Sequence, residues 1–122
     1  MNFLRSILFI IAMFSITISC YTLLVIDRIY HFITQKTYST DRGHKVATLW
    51  GKTLLKIIPG WNIILEGKEN LPTDKKSFII TANHESATDI LALYYLNIQF
   101  RWLAKIEAFR LPVIGSAMYS AG

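Results

Sequence analysis

Cysteine and charge are both scarce in this sequence, and each scarcity excludes something. The single cysteine, Cys20, excludes a disulfide framework within the chain, and we expect it to be a small buried hydrophobic side chain. No charged side chain occurs from Ser6 to Ile26.

Several catalytic motifs are also missing. There is no glycine-rich phosphate loop, Ser86 lacks the Gly-x-Ser-x-Gly context of a hydrolase, and Thr88 stands where a zinc protease has its second histidine.

The uncharged run from Ser6 to Ile26 is long enough to cross a membrane as a helix. A bilayer core requires about 20 apolar residues, and Leu, Ile and Phe insert favourably. We therefore predict a transmembrane or membrane-anchoring helix over residues 1–27. Two alternatives stay open. A cleaved signal peptide has a shorter apolar core of about 7–15 residues, and a buried core helix would need more cover than the rest of this chain offers.

A basic region follows the apolar run. From Asp27 to Gly60 there are six Lys or Arg residues against two Asp, whereas residues 61–122 carry six of each sign. Positive residues beside a span stay on the cytoplasmic side, and they attract anionic lipid headgroups. An ordinary solvated basic face is the alternative. We expect membrane lipids as partners and no nucleic acid, because no recognition motif accompanies the charge. His31 and His44 lie in this region, and no carboxylate stands at a sequence spacing that would indicate a pair with either of them. We therefore expect both at the surface.

The periodicity of the remaining residues predicts an α/β domain. Residues 28–60 form a basic juxtamembrane region with an amphipathic helix that begins near Ser39 and ends at Pro59-Gly60. This helix either packs on the core or lies in the bilayer interface. Short apolar runs at 61–66, 78–82 and 100–106 are typical of strands. They alternate with a helix start at Asp89–Leu96 and a short helix and turn within Glu107–Gly122. We assign residues 61–122 to a partial α/β domain with a partly parallel sheet.

The polar segment between the second predicted strand and the next helix holds the candidate site. It reads Asn83-His84-Glu85-Ser86-Ala87-Thr88-Asp89. Active sites of open α/β sheets lie beyond the carboxyl ends of strands. A neutral imidazole at His84 can accept a proton from a hydroxyl, and Asp89 can hold its other ring nitrogen. The two meet only if the loop bends back at the helix start. The alternative is that both residues merely cap a turn and a helix N-terminus. We do not expect a metal site, because His84, Glu85 and Asp89 alone would supply too few ligands.

Several segments together resemble the phospholipid/glycerol acyltransferases, in particular the 1-acyl-sn-glycerol-3-phosphate acyltransferases. Asn83-His84-x4-Asp89 is similar to the first motif of that family. Gly67–Pro72 resembles its Gly-x-Glu-Asn-Leu-Pro segment, and Trp102–Lys105 followed by Pro112–Gly115 resembles the stretch after the motif. The similarity runs from about Trp61 to Gly122. The fold that it implies is an N-terminal transmembrane helix followed by a partial glycerolipid-acyltransferase-type α/β domain.

The resemblance implies transfer of a fatty acyl group from a thioester to the hydroxyl of a lysophospholipid such as 1-acylglycerol-3-phosphate. In that family the motif His is the general base and the motif Asp supports it, and these roles fall here on His84 and Asp89. The acyl donor is acyl-CoA or acyl-carrier protein as co-substrate, and no other cofactor is implied. We further expect Asn83 to contribute to substrate binding. The implied location is a membrane, single-pass or anchored, with the catalytic part on the cytoplasmic face.

The family's later motifs, which supply arginines and a phosphate-binding segment, do not occur in these 122 residues. Lys105 and Arg101 are candidates to replace part of that phosphate clamp, and a surface position is the simpler expectation for both. We expect the chain to be a partial domain that is weak or inactive alone. The alternative function is a non-catalytic single-span membrane protein that binds lipid or a partner. A secreted protein with a cleaved leader is a more distant third.

Overall fold

The computed structural model describes residues 3–72 and 77–122 of the chain. These residues form four α-helices: α1 (Phe3–Thr34), α2 (Thr40–Lys56), α3 (Ala87–Ala92) and α4 (Ile114–Ala121). Three short 3₁₀ helices lie between them, at Lys68–Asn70, Leu93–Leu96 and Ile106–Arg110. The first of these lies within Gly67–Pro72, and residues 73–76 lie outside the described residues.

Helix α1 confirms the predicted apolar helix and extends it. Its 32 residues correspond to a length of about 48 Å. It is long and apolar enough to cross a membrane, and most of its surface is not covered by other parts of the chain. The helix continues past Asp27 to Thr34, because no proline or glycine interrupts that part of the sequence.

Helix α2 confirms the predicted amphipathic helix and runs antiparallel to α1. Near its start, Nη1 of Arg42 lies 3.2 Å from Oδ1 of Asp27. Two turns later, Nε1 of Trp50 donates to Oγ1 of Thr17 over 3.1 Å. Leu55, which is 1% exposed, is the most deeply buried apolar side chain of α2. The two helices therefore form a hairpin, with the apolar face of α2 turned inward.

Helix α4 packs on both members of this hairpin. The hydroxyl groups of Tyr21 and Ser116 are 2.9 Å apart, and the hydroxyl of Tyr38 donates to the carbonyl oxygen of Ser120 over 2.8 Å. Gly43 of α2 faces the same carbonyl so closely that a Cβ atom there would overlap it. The core is thus a packing of helices, and it includes Cys20, which is buried as predicted.

The predicted strands are not found, so the α/β class is not confirmed. Residues 61–66, 78–82 and 100–105 have no regular secondary structure, and no strand occurs anywhere in 3–72 or 77–122. A strand requires a neighbour that accepts and donates its backbone hydrogen bonds, and these segments lack one among the described residues. Several of their apolar side chains are exposed, as at Ile64, Ile79 and Leu103.

Two further expectations were wrong. His31 and His44 are buried, 9% and 5% exposed, instead of lying at the surface. Each is held by polar and aromatic neighbours: Nδ1 of His31 is 3.4 Å from the carbonyl oxygen of Lys36, and Nε2 of His44 is 3.1 Å from that of Ile98. In the tail, a short 3₁₀ helix precedes the turn at Pro112, in the predicted order, but the α-helix that follows this turn was not predicted.

Candidate active site

The candidate site is built on the first turn of α3. Ser86 is the N-cap residue, in an extended conformation, and its Oγ accepts from the backbone N–H of Thr88 over 3.3 Å. Asp89 reaches back so that its Oδ2 accepts from the backbone N–H of Ser86 over 2.7 Å. This reciprocal arrangement is a capping box, which satisfies N–H groups that have no partner within the helix. A serine followed three residues later by an acidic residue is the local sequence signal for it.

The carboxylate of Asp89 also fixes the loop that precedes the helix. Its Oδ2 accepts a second backbone hydrogen bond, from Glu85, over 2.7 Å. The loop must therefore bend back over the helix start. The N–H groups of Ser86 and then of Glu85 hold the pKa of the Asp89 carboxyl below its ordinary value, and the contact with His84 lowers it further. Asp89 is consequently an anion at neutral pH.

The bend brings the imidazole of His84 to the same carboxylate. Nδ1 of His84 lies 3.3 Å from Oδ2 of Asp89, slightly farther than in a typical N–H···O hydrogen bond. The loop thus has the bend that these two side chains need in order to meet. Both are accessible, with 60% of the His84 side chain and 37% of the Asp89 side chain exposed. The predicted capping role of Asp89 is present as well, so one carboxylate serves both arrangements.

This geometry determines which ring nitrogen is available for chemistry. A carboxylate beside Nδ1 favours the tautomer that carries its hydrogen on Nδ1. We infer the tautomer of His84 from this contact, because the position of a ring hydrogen is deduced from its hydrogen-bond partner. Nε2 then has a free lone pair on an exposed ring. A neutral imidazole with an anionic partner on its far side can take a proton from a hydroxyl and remain stable as an imidazolium.

The other predicted site residues do not join the pair. Asn83 and Lys105 are both exposed, and no hydrogen bond or ion pair connects either of them to His84 or Asp89 within the described ranges. Arg101 donates to Oγ1 of Thr40 over 2.8 Å. In the part of the chain that the structure describes, no three His, Cys, Asp or Glu residues are grouped as metal ligands.

The sequence did not predict the aromatic cluster that follows α3. Tyr94 is buried, and its hydroxyl accepts from Nε1 of Trp102 over 3.1 Å. Phe100 packs edge-on against His44, with ring centroids 4.9 Å apart. Burial raises the pKa of the Tyr94 hydroxyl. These rings line an apolar cavity of about 160 Å³ between α1, α2 and α4. The sequence does contain a signal for this close packing, because small residues occur at every fourth position of α2: Gly43, Ala47 and Gly51.

Comparison with known proteins gives consistent matches. The family model described as Acyltransferase matches residues 62–122. A 1-acyl-sn-glycerol-3-phosphate acyltransferase of Chlamydomonas reinhardtii is 34% identical over 79 residues, which make up 65% of this chain and 23% of the relative. Chloroplastic 1-acyl-sn-glycerol-3-phosphate acyltransferases of Arabidopsis thaliana and Brassica napus are 35% and 33% identical over 85 residues, 70% of this chain.

The regions of similarity cover a small share of those relatives. The chain spans about a quarter of their length, 23% of the Arabidopsis protein and 24% of the Brassica protein. No solved structure matches the chain. The matched family segment, residues 62–122, includes both members of the His84–Asp89 pair.

Proposed function

This chain belongs to the acyltransferase family, and from that premise we propose that it transfers a fatty acyl group to the hydroxyl of a lysophospholipid. The observation that carries the proposal is the contact between Nδ1 of His84 and Oδ2 of Asp89, 3.3 Å long, at an exposed helix start. The pair offers a base with a supporting anion. It lies within the segment that matches the family.

In the proposed reaction, Nε2 of His84 takes the proton of the acceptor hydroxyl as its oxygen attacks the thioester carbonyl. The new C–O bond forms, the C–S bond breaks, and the thiolate that leaves takes up the proton from the imidazolium. Asp89 stabilises the imidazolium between these steps and keeps the ring oriented. The two backbone N–H groups that hold Asp89 support this role, because they favour its ionised form. No covalent enzyme intermediate is required.

The substrates follow from the names of the relatives. Those proteins are 1-acyl-sn-glycerol-3-phosphate acyltransferases, so the proposed acceptor is 1-acylglycerol-3-phosphate and the product is phosphatidic acid. The proposed donor is a thioester, acyl-CoA or acyl-carrier protein. Asn83 and Lys105 are proposed to contact the substrate, which their exposure permits. We also propose that the three segments predicted as strands, 61–66, 78–82 and 100–106, belong to an α/β sheet around the pair.

Membrane attachment through α1 fits this chemistry, since the acceptor and the product are both lipids. Helix α1 has the length and hydropathy of a span, and the Lys and Arg residues that follow its uncharged run favour the cytoplasmic face for the catalytic part. We propose that α1 holds the chain at the bilayer from which the acceptor is drawn.

The test is acyl transfer by the full chain in detergent micelles, with lysophosphatidic acid and an acyl thioester. Comparison of the wild type with His84→Ala isolates the base, and Glu85→Ala is the matched control because that exposed side chain neighbours the pair without belonging to it. Loss of a general base lowers turnover by about 10²–10⁴-fold. We expect this loss in His84→Ala alone. Measurable turnover that is equal in the wild type and His84→Ala would contradict the proposed mechanism.

A further inference from the structure

A second polar cluster lies away from the catalytic pair, at the junction of α1 and α2. A groove between the two helices has an apolar floor formed by Leu23, Ile26 and Val46. Its other end is lined by Tyr30, Arg42 and Lys45. None of these residues takes part in the proposed reaction. The groove therefore combines an apolar wall with a cationic end, which is the pattern of an amphiphile-binding site.

The position of this groove relative to the bilayer follows from the sequence of α1. The uncharged run of α1 ends at Ile26, and Asp27 is the first charged residue after it. Leu23 and Ile26 are exposed on α1, and Tyr30 follows one turn later. Tyrosine is enriched at the level of lipid headgroups. The cationic end of the groove thus coincides with the boundary between hydrocarbon and headgroups.

The charges at this end are only partly neutralised. Arg42 contacts Asp27 through Nη1 over 3.2 Å, and the same Nη1 lies 3.3 Å from Nε2 of His31. The Arg42 side chain is nevertheless 57% exposed, and a guanidinium has five N–H donors. Lys45 is exposed. Asp27 offsets one of the two positive charges, so the lining has a formal charge of +1. Nζ of Lys36 adds a further cation 3.4 Å from the Tyr30 hydroxyl.

We infer that this groove binds the phosphate of an anionic bilayer phospholipid, with Lys45 and the free donors of Arg42 as its ligands. The apolar floor accommodates the glycerol and upper acyl carbons of that lipid, beside the exposed face of α1. The lining of the groove includes neither His84 nor Asp89, and the inference does not depend on catalysis. Because Arg42 and Asp27 hold α1 and α2 together, a bound lipid would also stabilise the hairpin.

The experiment is native mass spectrometry of the full chain, released from detergent after incubation with an equimolar mixture of phosphatidylglycerol and phosphatidylcholine. Phosphatidylglycerol is anionic and is neither acceptor nor product of the proposed reaction. We expect one phosphatidylglycerol retained in preference to phosphatidylcholine. Lys45→Gln should weaken retention about fivefold, which corresponds to about 1 kcal/mol for one cation near the headgroup.

Lys56→Gln is the matched control, because Lys56 is an exposed lysine on the same helix and is not among the groove residues. It should retain the lipid as the wild type does, and so should His84→Ala, which separates this result from the fate of the proposed reaction. Equal losses in Lys45→Gln and Lys56→Gln would overturn the inference in favour of a diffuse basic surface. Equal retention of the two lipids, or displacement by millimolar inorganic phosphate, would overturn it as well.

Discussion

The candidate site depends on the carboxylate of Asp89. Its Oδ2 holds the backbone of Glu85 and Ser86 and also contacts His84. We predict that Asp89→Asn keeps an oxygen for the two backbone donors but loses the charge that supports an imidazolium. Turnover should fall about 100-fold or more, while the helical circular dichroism signal changes little. The measurement is turnover together with thermal melting.

Ser86→Ala is the control for that substitution. It removes the hydroxyl from the capping box and leaves the Asp89 carboxylate in place. Loss of an N-cap side chain costs about 1 kcal/mol, so this variant should melt earlier but retain more activity than Asp89→Asn. If Ser86→Ala were the more damaging of the two for turnover, the anion would not be the important feature of Asp89.

Acid should protonate the carboxyl of Asp89 only at low pH. The pKa of this carboxyl is lowered by its backbone hydrogen bonds, so its contribution to stability is complete above the unfolded value of about 3.9. It is lost as the pH falls through the lower, folded value. We expect the side-chain carboxyl carbon of Asp89 to show its protonation step below about pH 4 in an NMR titration. A protonation step of this carboxyl at pH 5–6 would contradict this assignment.

The spacing of His84 and Asp89, with the resemblance around it, allowed their contact only on the condition that the loop bends back at the helix start, and the structure has that bend. Catalysis and capping looked like competing explanations in the sequence, yet a single oxygen supports both geometries. The burial of His31 and His44 could not be predicted in the same way. It depends on Tyr38, Phe100 and other aromatic rings that the folded chain brings together from distant positions.

At the scale of elements, the close approach of α2 and α4 depends on Gly43. Alanine normally stabilises a helix interior by about 1 kcal/mol relative to glycine. Here a Cβ atom would overlap the carbonyl oxygen of Ser120, which is backbone and cannot turn away. We predict that Gly43→Ala is destabilising, since overpacking costs about 1–3 kcal/mol. Thermal melting of the detergent-solubilised chain measures the change.

Gly51→Ala on the same helix is the comparison for Gly43. Its Cβ atom would meet the ring of Tyr94, at 2.6 Å from Cδ2. A side chain can rotate by a small angle where a carbonyl group in a packed helix cannot. The loss of stability should therefore be smaller than for Gly43→Ala. A loss at position 51 equal to or greater than that at position 43 would show that α2 and α4 are not packed as tightly as described.

Elements with a strong helical period were predictable, and extended segments were not. The spacing of apolar residues and the stop at Pro59-Gly60 predicted α2 closely. Residues 78–82 are rich in β-branched and apolar side chains, but a strand also requires pairing partners, and residues 3–72 and 77–122 do not provide them. Local sequence describes a preference for extended backbone, whereas a sheet depends on distant segments.

At the scale of the whole molecule, the proposed membrane anchor is α1, which has the length and hydropathy of a span. We predict that Phe14→Lys reduces the fraction of protein that floats with vesicles, because Phe14 is 58% exposed near the middle of the uncharged run. A lysine at the centre of a span costs about 2.5–3.5 kcal/mol. Phe32→Lys is the control, since Phe32 is 86% exposed on the same helix but lies beyond that run. Equal losses in both variants would contradict anchoring by the uncharged run.

The shared oxygen of Asp89 has a further consequence, which concerns how often the site exists. Helix α3 has six residues, too few to persist without its cap and its neighbours. When its first turn opens, the amides of Glu85 and Ser86 lose the same acceptor that His84 contacts. Hydrogen exchange at these two amides therefore counts the fraction of molecules in which the pair is broken. A ligand that binds only the closed form should slow that exchange in proportion to its occupancy.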